Sequence, residues 1–133
     1  MRGVRNKDLE HTELGGFLNF DLKDILATIG EPAISSTWIC RNIECVGKHA
    51  ERLFELSETG ESITGSELDR ILDGINQTID GQFEASQAGK ANPWLIVEAV
   101  DSSYFEVFTD DAFVLDKLRS RFREVSQVST DAA

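Results

Sequence analysis

Apolar residues recur along this chain with two different periods, and each change of period marks a new element. Leu22, Ile25, Leu26 and Ile29 follow one another at steps of three, one and three, the spacing that lines one face of a helix. Asp21 is its predicted cap, and Gly30-Glu31-Pro32 its stop. Residues 34 to 46 are rich in strand formers, Trp38-Ile39-Cys40-Arg41-Asn42-Ile43-Glu44-Cys45-Val46, but their alternation slips partway along. A bulge or an edge position would produce that slip.

Beyond Gly47, the residues Ala50, Leu53, Phe54 and Ser57 form the expected inner stripe of a short helix that ends before Gly60. Thr64-Gly65-Ser66-Glu67 then reads as a capping box, with Ile63 and Leu68 at the two positions of a hydrophobic staple. The helix it opens carries Leu68, Ile71, Leu72 and Ile75 on one face.

After Asn76 the period drops to two: Ile79, Gly81, Phe83 and Ala85 alternate with Thr78, Asp80, Gln82 and Glu84, which predicts a strand over 78–87. A turn at Ala88 to Pro93 leads to a hairpin with strands at 94–100 and 104–109. Thr109 or Asp110 is expected to cap a final helix with Leu115, Leu118, Phe122 and Val125 inward, its acidic start and basic end matching the helix dipole. Residues 1–16 show no clear period and predict a loose leader, 17–125 a single domain, and 126–133 a frayed tail. The expected class is α+β: an antiparallel sheet of about four strands, at 34–46, 78–87, 94–100 and 104–109, with helices packed on one face.

The hairpin is the most informative segment because Glu98 and Glu106 interrupt an apolar run. A two-residue loop at Ser102-Ser103 would set Glu98 against Val107 and mix charge with hydrocarbon on both faces. A three-residue loop, Asp101 to Ser103, sets Glu98 against Glu106 and leaves Leu95, Val97, Ala99, Phe105 and Val107 as one apolar face. The second register avoids burying a carboxylate, at the cost of lacking a glycine in the loop. It predicts an outer face that is acidic and aromatic, with Glu84, Trp94, Glu98, Tyr104, Glu106 and Phe108 as candidate partner-binding residues. Two carboxylates facing each other call for a cation, for which Arg41 or another basic side chain is available, or for screening by solvent.

Charge narrows the partner. The 133 residues carry a net charge of -11, and residues 51–84 hold nine acidic side chains against two basic ones. Such a surface repels phosphate backbones and anionic membranes, so direct nucleic-acid or membrane binding is not expected, whereas a basic protein is attracted. No run is long and apolar enough to cross a bilayer, and the basic start leads into no apolar signal core. A cytoplasmic location with two free thiols, Cys40 and Cys45, is the expectation.

Little in the chain points to catalysis. Cys40, Cys45 and His49 form a Cys-x4-Cys-x3-His pattern, but thiols five apart on one strand are expected on opposite sheet faces, so neither a metal site nor a disulfide is predicted. Cys45 with His49 lacks a third group for nucleophilic catalysis. No phosphate-binding glycine loop is present, and no cofactor is expected. The functional expectation is a non-enzymatic, acidic binding protein of immunity-protein, antitoxin or inhibitor type. The alternatives are a ligand-binding or enzymatic domain with a pocket on the outer sheet face, and a homo-oligomeric interaction subunit whose second copy covers that face.

Overall fold

A computed structural model describes residues 2–6, 9–12, 15–18, 20–122 and 125–128. In chain order its elements are β1 (Arg2–Asn6), β2 (Leu9–Thr12), β3 (Gly15–Leu18), α1 (Leu22–Ile29), α2 (Glu31–Ile34), β4 (Thr37–Val46) and α3 (Ala50–Thr59). There follow β5 (Ile63–Thr64), α4 (Gly65–Leu72), β6 (Gln77–Ser86), β7 (Leu95–Val100), β8 (Tyr104–Thr109), α5 (Ala112–Arg121) and β9 (Val125–Val128). The class is α+β. One antiparallel sheet runs β5-β4-β6-β7-β8-β1-β9, with the two-residue β5 at its edge, and β2 and β3 form a separate two-stranded pair.

The sheet is thus larger than the four strands expected. The extra members are β1, β9 and the short β5. β1 overturns the expectation of a loose leader: Arg2–Asn6 pairs with β8 on one side and with β9 on the other. Its only large apolar residue is Val4, 1% exposed, so it is held by ladder bonds and cross-strand neighbours more than by any period of its own. Ser126 to Val128, expected to fray, lie within β9, while 129–133 fall outside the described residues.

One row of core residues crosses five strands in register: Val4, Val107, Val97, Phe83 and Cys40. All five are buried, and the stripes of the helices close over them. α1 has its predicted bounds; Asp21 caps it, in a box closed by Asp24, and Leu22, Ile25, Leu26 and Ile29 are all fully buried. Thr64 caps α4, its hydroxyl accepting from the Glu67 amide at 3.1 Å, with Ile63 and Leu68 both buried.

Other boundaries differ. Ile34 ends the short helix α2 and does not begin a strand. In α3 the inner stripe is Leu53 and Leu56, whereas Phe54 is 51% exposed. Asp111 caps α5, accepting from the amides of Phe113 and Val114, and Val125 belongs to β9.

The slip in β4 is a pair of compensating bulges. From Arg41 to Glu44, β4 advances three residues while β6 advances two; from Glu44 to Cys45 it advances one while β6 again advances two. Asn42 takes the left-handed conformation there, φ 53°, which asparagine tolerates better than most residues. The irregularity brings Cys40 and Cys45 both to the core side, contrary to the expectation of opposite faces, and it buries Thr78 in place of Ile79.

Candidate functional site

The helices cover the inner face, so the outer face of β4, β6, β7, β8 and β1 carries the polar positions. The β7–β8 hairpin adopts the three-residue loop, with Glu98 opposite Glu106, Ala99 opposite Phe105 and Val100 opposite Tyr104. The loop stays tight without glycine: Asp101 and Ser102 take positive φ, 50° and 58°, and their amides donate to Asp80 Oδ1 and the Ile79 carbonyl at 2.9 Å each.

The register arranges the outer side chains in rows across the strands. One row is Gly3, Phe108, Ile96, Glu84 and Ile39. The next is Arg5, Glu106, Glu98, Gln82 and Arg41. Neighbours within a row stand about 5 Å apart, close enough to interact.

Arg5 closes one end of the charged row. Its Nη2 donates to Glu106 Oε1 at 2.8 Å and its Nε to the same oxygen at 3.3 Å, while its guanidinium carbon lies 4.3 Å from the Tyr104 ring centroid. At the other end Arg41 Nε is 3.6 Å from Glu84 Oε1, which also accepts from Gln82 Nε2 at 3.0 Å. Among the described residues no cation pairs with Glu98. Burial, and then the neighbouring Glu106, push its carboxyl above the ordinary range.

Glu98 also borders an open depression of about 550 Å³, lined by Asn42, Ile43, Glu44, Asp80, Gly81, Gln82, Glu98 and Ala99. The bulges shape one wall of it. Its lining includes three carboxylates and two amides and no basic side chain.

Five of the six candidate residues, Glu84, Glu98, Tyr104, Glu106 and Phe108, occupy this face at adjacent register positions. Trp94 does not join them: its indole donates to Ser36 Oγ at 2.8 Å and packs against the core. Ser36 in turn donates to the Pro32 carbonyl at 2.7 Å, so the indole anchors the β7 start to α2. Of the basic side chains, Arg41 was a foreseeable neutraliser, but it meets Glu84 and not the glutamate pair. Arg5, which meets Glu106, was hidden because its strand was unreadable. The slip at 41–44 was the sequence signal for the depression.

Cys40 lies in the core and Cys45 packs against it. Burial raises the Cys40 thiol to about 12, and burial together with Asp21 raises that of Cys45, so both stay as thiols. His49 Nδ1 lies 2.9 Å from the Ile71 carbonyl. Among the described residues, no group of three or more His, Cys, Asp or Glu side chains is placed to hold a metal ion. Nor, among the described residues, is any helix long and apolar enough to cross a membrane.

No family model, curated protein or solved structure matches this chain.

Proposed function

We propose that this chain is a non-enzymatic binding protein of the cytoplasm, of immunity-protein, antitoxin or inhibitor type, that engages a basic protein through the open face of its sheet. The observation that carries the reading is Glu98: a partly desolvated carboxylate set against a second one, with no cation from the described residues. A partner's positive side chain would relieve that repulsion on docking, and the half-buried Ile96, Val100 and Phe108 around it supply apolar contact.

Two other readings have less support. A second copy laid face to face would bring Glu84, Glu98 and Glu106 towards an equally acidic surface whose Arg5 and Arg41 are already engaged. A small-molecule site near Trp94, Tyr104, Glu98 and Glu106 would need an enclosed pocket, whereas the depression at Glu98 is open and touches none of the other three.

The test is retention of lysate proteins on the immobilised chain at low salt, using the wild type, a reversed face (Glu84→Lys with Glu98→Lys) and a reversed control on α3 (Glu55→Lys with Glu58→Lys). The reading expects a basic protein that the wild type and the control retain and the reversed face loses, and that high salt releases. Retention that ignores the reversed face, or no basic protein at low salt, overturns it.

A further inference from the structure

Resting on that docking face, we infer that the group received at Glu98 is specifically a guanidinium, so that the partner presents an arginine and not a lysine. The protein's own Arg5 shows what this face holds well. Its guanidinium is bound edge-on by Glu106 and lies over the ring of Tyr104, two residues away on the same strand. That one seat is filled from within. Glu98, directly across the ladder from Glu106, offers the next carboxylate along the row.

The depression beside Glu98 offers acceptors on several sides, which the five donors of a guanidinium can meet together more fully than the three of an ammonium. Glu44, Asp80 and Glu98 line it from three strands together with Asn42 and Gln82, and of these Asp80 already accepts from the Asp101 amide through Oδ1. The Gln82 amide nitrogen is committed to Glu84, which leaves its carbonyl oxygen as an acceptor. Acceptors spread over three strands suit a planar fork of five donors; an ammonium is a compact point charge that gives up more hydration on leaving water. The acidic surroundings add attraction at long range, and the neighbouring Arg5 does not compete because Glu106 engages it.

The test is calorimetric titration of the full chain with capped tetra-arginine and tetra-lysine peptides, which carry equal charge. The wild type is expected to bind tetra-arginine at least about fivefold more tightly than tetra-lysine. Glu98→Gln should weaken tetra-arginine about five- to tenfold and abolish the preference, while Glu55→Gln on α3 leaves both affinities unchanged. Equal affinity for the two peptides, with both weakened by Glu98→Gln, overturns the guanidinium assignment and leaves the docking face standing. Binding that ignores Glu98→Gln, or no tetra-arginine binding at millimolar peptide, overturns the assignment and counts against the docking face as well.

Discussion

Arg5 and Glu106 stand opposite each other on β1 and β8, joined by a 2.8 Å contact between Nη2 and Oε1. The Glu106 side chain is only 12% exposed, so this pairing is what lets a carboxylate sit half-sunk in the sheet face beside a second one. Arg5→Ala is expected to cost about 1 kcal/mol, a charge-assisted bond discounted for the solvent that still reaches Arg5. The loss should shrink by a few tenths, roughly 0.2–0.5 kcal/mol, in a Glu98→Gln background, where the opposed charge is gone. Urea unfolding of the four proteins in this cycle measures the coupling.

Glu98→Gln should itself stabilise the fold at neutral pH, by about 0.5 kcal/mol, the scale of an opposed like-charge pair. Because the folded carboxyl is raised, the folded state holds its proton more tightly than the unfolded chain does. The contribution of Glu98 to stability is therefore most favourable below the ordinary glutamate range. It declines as pH rises from there through the raised folded value, and stays lower at neutrality. Unfolding midpoints of wild type and variant across the acid range should converge at low pH and separate as pH rises; parallel curves would show that Glu98 is not perturbed.

Asp21 joins two elements. Its Oδ1 accepts from the Leu22 amide at 2.7 Å at the start of α1, and its Oδ2 accepts from the Thr78 amide of β6 at 2.9 Å. Asp21→Ala removes a helix cap and strands a buried N–H, a combined loss of about 2–3 kcal/mol. Asp21→Asn keeps a capping oxygen and should lose less than about 1.5 kcal/mol. Thermal denaturation of the two variants reads the difference.

Gly65 opens α4, where alanine would ordinarily be preferred. Here a Cβ would run into the backbone carbonyls of Ala33 and Ile34, which belong to α2. Gly65→Ala should therefore destabilise by about 1–3 kcal/mol in spite of its better helix propensity. A variant as stable as the wild type would mean that α2 yields to the methyl group.

Legibility followed how far each element depends on its own residues. α1 and the hairpin register could be read because their apolar sets are complete within a short span and only one arrangement buries them. β1 could not, since Val4 is its only large apolar residue and its ladder bonds go to strands distant in sequence. The same holds at the site. Glu98 and Glu106 were visible as intrusions in an apolar run, but Arg5 was not, and the walls of the depression depend on two bulges whose offsets cancel. A slip in alternation says that a bulge exists without saying that a second one answers it on the neighbouring strand. Phe54 misled for the opposite reason, being apolar and on schedule yet turned to solvent.

The place of β1 predicts an order of events in folding. The run β6-β7-β8 can form as a meander with short loops, but both partners of Arg2–Asn6, Tyr104–Thr109 and Val125–Val128, lie some hundred residues or more later in the chain. Closing so long a loop delays that pairing until the rest of the core can offset its entropy. Until then β8 has a bare edge and Glu106 lacks Arg5. The arrival of β1 thus gives β9 the strand it pairs with and supplies the only cation that binds the glutamate pair among the described residues, so the outer face is expected to acquire its final charge pattern only late in folding.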